Sequence, residues 1–307
     1  MRVKCASPLN QQMAKEPIIP ASLQRRLELY GKAAELHAQG FSNGEIAKML
    51  GTGAEQVRRW MRGEKPKRVH RYEPDLTPSR DLAYVAGFYL GDGKRAGKEN
   101  KVRFELGDQQ QIEHVGLLVA GILHREPKPW AKDRSFYVIS YDSVALYEFL
   151  NRPVEKLVDY LGKFTRDFLR GFFDAEGYCT CSLDFQLRKL RSVTVGIANT
   201  KIQSLKTMAR ILVDLGLPCS FRRTNRRGGK MTIAGRTWTR RRDVYHISVT
   251  GFDQVKRFRD EVGFWNPQKA NKLADLVALG KMPPGERYSW FVTHYTKRGR
   301  KWVRKEK

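Results

Sequence analysis

Apolar and charged residues alternate along residues 101–106, Lys-Val-Arg-Phe-Glu-Leu, which predicts a strand with one buried and one charged face. Along residues 110–125 the apolar positions recur at helical spacing, which predicts an amphipathic helix. Another strand is predicted at residues 135–143, and the order strand, helix, strand returns within residues 191–251. We therefore predict an internal duplication, in which each half contains an apolar helix, strands, a helix, strands and a closing helix.

Each predicted half begins with a similar apolar segment. Leu82–Gly93 reads LAYVAGFYLGDG and Phe168–Gly177 reads FLRGFFDAEG, and both end in a small residue, a carboxylate and a glycine. Small residues recur at a spacing of four residues in both segments. They include Ala83 and Gly87 in the first segment, and the second series begins at Gly171. Such spacing lets two helix backbones approach closely. The two segments are therefore predicted to pack on each other across a pseudo-twofold axis.

The carboxylates of Asp92 and Glu176 would then lie side by side at the two helix ends. A helix C-terminus disfavours negative charge, and neither segment contains a lysine before its acid. Two carboxylates, neighbouring backbone carbonyls and water molecules suit Mg²⁺, with Mn²⁺ as the other candidate. The alternative is that each end is only a turn after a buried helix. The matched pair favours a metal site.

The first 62 residues are predicted to form a helical domain that contains a helix-turn-helix. Ser42 with Glu45 and Thr52 with Glu55 have the spacing of capping boxes, and Gly51 lies between the two predicted helices. The recognition helix is predicted over residues 52–61. Its shared core would be Ile46, Leu50, Val57 and Trp60, and its outer, DNA-binding side would carry Gln56, Arg58, Arg59 and Arg62. The alternative is a helical hairpin that contacts only protein.

Charge narrows the choice of partner. The chain contains 58 Lys and Arg residues against 32 Asp and Glu residues, a formal net charge of +26. Such an excess of positive charge favours a protein that binds nucleic acid over an enzyme that acts on small molecules. The alternative is a basic ribosome-associated or merely soluble protein. Residues 63–80 are basic, contain three prolines and are predicted to be a linker.

Most of the predicted DNA contacts fall within residues 221–249, where no acid precedes Asp243. Gly228 and Gly229 are predicted to form the turn of a long hairpin that enters the major groove. The alternative is a solvated loop that binds phosphates without sequence preference. The candidate residues here are Arg222, Arg223, Arg226, Arg227, Lys230, Arg236, Arg240, Arg241 and Arg242. Further candidates outside this stretch are Lys101, Arg103, Arg188 and Arg191.

The remaining features exclude other protein classes. Four cysteines lack the spacing of a zinc site and are predicted to be reduced thiols. The N-terminus has no apolar core of a signal peptide, and no apolar run reaches the roughly 18 residues of a membrane span. A cytoplasmic, nucleoid-associated protein without a membrane partner is therefore expected. The basic and aromatic tail, residues 281–307, is predicted to lie along DNA or RNA or to be disordered.

Residues 81–279 resemble the LAGLIDADG homing endonucleases, through VAGFYLGDG, RGFFDAEG and the closing segment VGFWNPQKANKL. The resemblance implies two αββαββα-like repeats, residues 81–162 and 163–280, whose antiparallel sheets form a DNA-binding saddle. It also implies that Asp92 and Glu176 bind metal together with the carbonyls of Gly91 and Ala175. The family places a lysine or glutamine after the strand that follows each motif. Lys201 is the candidate in the second half, and Gln109 is the weaker candidate in the first half.

The resemblance implies a monomeric, site-specific endonuclease that cuts double-stranded DNA. The motif position two before each acid, often acidic in the family, is Leu90 in the first copy and Asp174 in the second. It is not the metal-binding position, so activity is still expected. The alternatives are an intron maturase, which binds intron RNA and assists splicing, and a DNA-binding regulator on the same scaffold. A maturase or regulator could lose either acid, whereas this chain contains both.

Overall fold

The computed structural model describes residues 21–64, 74–95, 101–133, 135–233, 236–298 and 301–305. The chain divides into two compact units, Met1–Arg71 and Tyr72–Lys307. None of the helices within the described ranges is long and apolar enough to cross a membrane.

The smaller unit is a three-helix domain. Its helices are α1, Ala21–Ala38; α2, Asn43–Leu50; and α3, Ala54–Met61. Ser42 and Glu45 form the predicted capping box of α2, and Gly51 ends that helix in the left-handed region with φ 61°. The second predicted capping box is wrong, because Gly53 rather than Thr52 precedes α3 and makes no side-chain cap. The observed helix α3 is therefore two residues shorter than the predicted recognition helix.

The core of the smaller unit agrees largely with the predicted one. Ile46, Val57 and Trp60 are buried, and Leu50 packs against them while partly exposed. Ala33 of α1 completes this cluster. Gln56, Arg58 and Arg62 are exposed on the other side of α3, as the amphipathic pattern predicts.

The larger unit contains the duplicated fold. Its first half consists of α4, Arg80–Asp92; β1, Gly93–Arg95; β2, Lys101–Leu106; α5, Gln109–Ile122; β3, Ala131–Asp133; β4, Phe136–Asp142; α6, Val144–Leu150; and α7, Val154–Leu161. The strands form an antiparallel sheet in the order β1-β2-β4-β3. Val102, Phe104 and Leu106 of β2 are buried and alternate with partly exposed charged residues, as predicted.

The second half repeats this order. It consists of α8, Thr165–Glu176; β5, Gly177–Asp184; β6, Lys189–Asn199; α9, Ile202–Asp214; β7, Ser220–Asn225; β8, Lys230–Ile233; β9, Arg236–Thr239; β10, Val244–Thr250; α10, Phe252–Glu261; and α11, Pro267–Gly280. Its antiparallel sheet has the order β5-β6-β10-β7, so corresponding strands of the two halves occupy corresponding places. The strands β8 and β9 are an added hairpin with no counterpart among the described strands of the first half.

The helices α4 and α8 pack on each other through their small residues. A methyl group added at Gly87 would lie 1.8 Å from the carbonyl oxygen of Phe168. The same group at Gly171 would lie 2.1 Å from the carbonyl oxygen of Tyr84. Backbones this close leave no room for a side chain at either glycine. Ala83, the third predicted interface residue, is fully buried.

Three stretches differ in detail from what the sequence predicts: the basic hairpin, the end of the linker and the tail. The hairpin turn is not at Gly228 and Gly229, because the strand that follows them, β8, pairs with β9, with Lys230 opposite Thr239 and Ile233 opposite Arg236. Gly228, with φ 81°, instead lies at the base of this hairpin, where its N–H donates to the carbonyl oxygen of Arg240 at 2.9 Å.

The segment predicted to be the end of the linker belongs to the larger unit. The N–H of Asp75 donates to the carbonyl oxygen of Ile122 at 2.7 Å, and the Tyr160 hydroxyl donates to that of Leu76 at 2.9 Å. Residues 65–73 of the linker lie outside the described residues.

The described residues of the tail, 281–298 and 301–305, are folded. It forms α12, Pro284–His294; β11, Tyr295–Arg298; and β12, Lys301–Arg304. Phe291 and Tyr295 are buried, and the Tyr295 hydroxyl donates to Asp275 of α11 at 2.6 Å. These contacts join the tail to the second half, so its aromatic residues supply a small core.

Candidate active site

The C-terminal ends of α4 and α8 meet, and each is followed directly by the first strand of its sheet. A methyl group added at Gly91 would lie 2.5 Å from the Cβ of Ala175 and 3.0 Å from the Cγ of Glu176. Asp92 and Glu176 are both partly buried at this junction. The packing of the two helices therefore brings together the two predicted carboxylates and their preceding residues.

The environment of Glu176 opposes its negative charge. Burial and, next, the nearby negative charge of Asp92 raise the pKa of Glu176, while Lys201, Lys269 and a bond from Asn199 act against that rise. The Asn199 amide donates to Oε1 of Glu176 at 2.8 Å. A carboxylate whose ionisation is opposed by burial and by a second acid is suited to a bound cation.

Two lysines reach the two helix ends. The Nζ of Lys201, at the start of α9, donates to the carbonyl oxygen of Leu90 at 2.8 Å. The Nζ of Lys269 in α11 donates to the carbonyl oxygens of Asp174 at 2.5 Å and Phe173 at 3.3 Å. Burial lowers the pKa of Lys269, and the surrounding acids oppose that shift. The helix ends are therefore partly neutralised by lysines from distant elements, although neither motif segment supplies one.

Asp174 is a buried anchor. It is 1 % exposed, and it accepts hydrogen bonds from the Tyr84 hydroxyl at 2.9 Å and from the backbone N–H groups of Trp265 at 2.9 Å and Asn266 at 3.1 Å. Burial raises the pKa of Asp174, and these donors oppose the rise. This carboxylate joins α4, α8 and the start of α11, and its donors already occupy both of its oxygens.

Two of the three glutamines at the start of α5, Gln109 and Gln111, lie in different environments. Gln109, the sequence-predicted candidate, is exposed and donates to Glu113 at 2.9 Å. Gln111 is buried, and its Nε2 donates to the carbonyl oxygen of Asp174 at 3.1 Å. The structure therefore places Gln111, and not Gln109, against the end of α8. A polar residue on the apolar side of the predicted helix was the available signal.

A divalent cation fits the chemistry of this junction. The candidate ligands are the carboxylates of Asp92 and Glu176 and the carbonyls of Gly91 and Ala175 in the last helical turns. Among the described residues no group of three or more His, Cys, Asp or Glu side chains could hold a metal. A cation here would therefore take only two protein carboxylates, which suits Mg²⁺ because it retains water and binds substrate phosphates.

Most of the predicted DNA-binding side chains are exposed, but several are paired with acids. Arg103 lies 2.7 Å from Glu105, Arg191 lies 2.5 Å from Asp184, and Arg223 lies 3.4 Å from Asp243. Lys101 is 3.8 Å from Asp142. In the smaller unit, Arg58 contacts Glu55 and Arg59 contacts Glu64. The exposed predicted residues at the second sheet and its added hairpin are Arg188, Arg191, Arg222, Arg223, Arg226, Arg227, Lys230, Arg241 and Arg242.

Arg240 is only partly exposed, because its guanidinium donates to the carbonyl oxygen of Lys230 at 3.1 Å. The side chain of Arg236 lies outside the described residues.

Part of the chain matches a known family of proteins. Residues 163–263 match the sequence profile of the LAGLIDADG-like domain. The resemblance predicted from the two motifs is therefore confirmed over residues 163–263. The chain has the predicted fold class, a duplicated α/β unit with antiparallel sheets that follows an all-α domain in the sequence.

Relatives differ greatly in how much of their length matches. The uncharacterized protein MJ0398 of Methanocaldococcus jannaschii is 26% identical over 265 residues, covering 82% of this chain and 93% of that protein. The replication factor C small subunit of Pyrococcus horikoshii is 24% identical over 228 residues. That match covers 71% of this chain but 23% of the relative, so the matched part of this chain corresponds to a minor part of that protein.

Solved LAGLIDADG structures align with the larger part of the chain. The homing endonuclease I-DmoI in complex with DNA and Mn has a TM-score of 0.42 and 20% identity, covering 60% of this chain and 96% of that chain. The LAGLIDADG homing endonuclease I-GzeII in complex with its DNA target has a TM-score of 0.43 and 10% identity, covering 66% and 90%.

Proposed function

We propose that this chain is a site-specific endonuclease that cuts both strands of DNA and depends on a divalent cation, Mg²⁺ or Mn²⁺. The observation that carries the proposal is the convergence of Asp92 and Glu176 at the ends of two close-packed helices. Each acid directly precedes the first strand of an antiparallel sheet. A regulator or maturase on this scaffold would not need both carboxylates at one junction.

The chain's own residues would position the reaction. Asp92 and Glu176 would hold the cation, with the carbonyls of Gly91 and Ala175 as further ligands. Bound there, it would act as a Lewis acid that stabilises the charge developing on the phosphate and the leaving oxygen. Asn199 orients the Glu176 carboxylate through its 2.8 Å bond. Lys201 fixes the end of α4 through Leu90 and adds positive charge for the phosphate.

The proposed partner is a long duplex. The exposed basic residues of the second sheet and of the β8–β9 hairpin would bind its backbone, and some would contact bases. The smaller unit would bind neighbouring base pairs through α3 and thus add affinity by tethering. Because one chain contains both acids, we propose that it works as a monomer. A role in homing of a mobile element belongs to the same proposal.

The test is a cleavage selection with the full chain on a library of random duplexes in Mg²⁺. We expect one related set of duplexes to be cut in both strands and no product to form in EDTA. Binding of a set of duplexes without cleavage in Mg²⁺ or Mn²⁺ would contradict the proposal and support a regulator. Specific binding of structured RNA alone would support the maturase alternative.

A further inference from the structure

The solvent-facing side of the second sheet carries an ordered row of polar side chains. We call this side the outer face; its inner counterpart contains the buried Cys179, Val195, Ile197 and Ile247. On the outer face Tyr178 of β5 is opposite Gly196 of β6, and His246 of β10 is opposite Ala198 of β6 and Arg222 of β7. Arg222, His246 and Tyr178 therefore cross all the strands of the sheet.

Tyr178 and His246 form a side-chain pair across the middle of this face. The Tyr178 hydroxyl and Nε2 of His246 are hydrogen-bonded to each other. Their rings are stacked, with centroids 5.6 Å apart and an interplanar angle of 17°. A methyl group added at Gly196 would lie 3.0 Å from both the His246 Nε2 and the Tyr178 hydroxyl oxygen. Glycine at this strand position is what lets the two side chains meet.

The pair has two possible hydrogen-bond polarities. His246 is 8 % exposed, and its Nδ1 is buried without a hydrogen-bond partner among the described residues. Burial is the larger cause that lowers the pKa of His246, and the positive charge of Arg222 is the smaller one. The ring is therefore neutral and carries one proton. If that proton is on Nε2, it is donated to the Tyr178 oxygen and the hydroxyl proton is left for another acceptor. If it is on Nδ1, the hydroxyl proton is used inside the pair and a buried N–H stays unpaired.

DNA selects between these polarities. A phosphate oxygen can only accept a hydrogen bond, so a duplex on the outer face needs donors from the sheet. Only the arrangement with the proton on Nε2 gives it the Tyr178 hydroxyl as a donor. The same arrangement avoids an unpaired buried N–H, the rarer and more costly kind of unsatisfied group. Arg222, exposed beside His246, supplies positive charge at the same place.

The position of the pair relates it to the reaction centre. Tyr178 follows Glu176 by two residues, and His246 is opposite Ala198, the neighbour of the Asn199 that binds Glu176. A phosphate held here would lie close to the end of α8. We propose that His246, through its Nε2–H, orients the Tyr178 hydroxyl to donate to a phosphate oxygen of the bound duplex. Tyr178 is thus a DNA-positioning residue, and His246 acts through it. This inference rests on the proposed function.

The test measures binding rather than cleavage. The full chain is titrated in Ca²⁺ against a fluorescein-labelled duplex from the selection and against a random-sequence duplex. Tyr178→Phe should weaken binding of the selected duplex about tenfold, which is about 1.4 kcal/mol. His246→Leu should weaken it by a smaller factor, roughly threefold. The matched control is Tyr245→Phe, which removes a hydroxyl bonded to Asp243 in the same sheet and should leave affinity unchanged.

The double variant separates a relay from two independent roles. Once the Tyr178 hydroxyl is gone, His246→Leu should cost no further affinity, so the two effects should not add. Additive losses that track a drop in melting temperature would overturn the relay in favour of a structural role. Equal affinity of Tyr178→Phe and wild type would also overturn it, while leaving the endonuclease proposal intact. Failure of the wild type to bind either duplex would overturn both.

Discussion

The two halves of the larger unit end their motif helices in the same way but support them differently. At the end of α4 the motif position two before the acid is the partly exposed Leu90, whose carbonyl oxygen is held by Lys201 from the other half. At the end of α8 the same position is the buried Asp174, held by Tyr84, Trp265 and Asn266. The duplication has kept the carboxylate and the close helix contact and has changed the surrounding bonds.

The two sheets differ in a parallel way. On the first sheet the charged face of β2 pairs internally, with Arg103 on Glu105 and Lys101 near Asp142. The second sheet also has paired arginines, Arg191 with Asp184 and Arg223 with Asp243, but it presents further exposed arginines, such as Arg222. Positive charge that is already paired contributes less to a polyanion than positive charge that is exposed. The second half is therefore expected to supply more of the DNA affinity, while both halves supply one carboxylate each.

Removing either carboxylate should have the largest effect and should affect both halves equally. Asp92→Asn or Glu176→Gln should lower the single-turnover cleavage rate at least about a thousandfold, because a cation site worth several kcal/mol loses a ligand. Binding of the selected duplex in Ca²⁺ should persist. Strand-resolved cleavage in Mg²⁺ measures this. Normal cutting by both variants would show that the acids are not catalytic.

The contact between α4 and α8 should be equally sensitive to a methyl group added on either helix. Gly87→Ala and Gly171→Ala should each lower the free energy of unfolding by at least about 3 kcal/mol, because a methyl group would overlap a backbone carbonyl. Gly121→Ala in α5 is the control, since nothing lies within 4 Å of its added methyl group. It should be neutral or stabilising by up to about 1 kcal/mol. Denaturant unfolding distinguishes these outcomes, and equal stability of all three variants would refute the close contact.

Acid should loosen the contact between the halves at His114. This side chain of α5 stacks on Trp265, with ring centroids 3.6 Å apart, and burial lowers the pKa of His114 to about 4 from 6.5. The unfolded chain therefore gains a proton first. This contribution is fully present above about pH 6.5 and is lost as pH falls through about 4. His114→Phe should flatten that part of the stability profile, and an unchanged profile would contradict it.

Single arginines should reveal the difference between the sheets. Arg222→Ala should weaken duplex binding about tenfold, whereas Arg103→Ala should weaken it by less than about threefold because Arg103 is paired with Glu105. Anisotropy titrations at one salt concentration provide the comparison. Equal losses would mean that the two sheets contribute equally.

The smaller unit should have the smallest effect of the basic regions. Arg58 and Arg59 lie outside the Ile46, Val57 and Trp60 core. Replacing both by alanine should therefore leave folding intact. The expected loss is a few-fold in affinity, with the saturated cleavage rate unchanged, because the unit acts by tethering. An unchanged footprint and affinity would show that α3 does not bind this DNA.

Local sequence patterns predicted much of this architecture. Alternation predicted β2, the Ser42 capping box predicted the start of α2, and the repeated small residues predicted the contact at Gly87 and Gly171. Predictions failed where the same residues are compatible with two local structures. Gly53 displaces Thr52 before α3, and Gly228 fits a bend as readily as a hairpin turn.

The supporting bonds of the site could not be predicted in this way, because they are tertiary. Lys269 and Asp174 are 95 residues apart, and Gln111 reaches the same helix end from the other half. Nothing local in the sequence specifies such partners. The folding of the tail could not be predicted for a similar reason, since Phe291 and Trp302 form a core only when they pack together. Whether the tail also lies along nucleic acid stays a prediction.

The central claim is that the two halves contribute one carboxylate each to a shared cation site. Its most direct test is a Mn²⁺ titration of the full chain, followed by electron paramagnetic resonance, with the selected duplex bound. The wild type should bind Mn²⁺ at this site, and either Asp92→Asn or Glu176→Gln should weaken that binding at least tenfold while leaving the duplex bound. Mn²⁺ binding that is the same in the wild type and both variants would contradict the account.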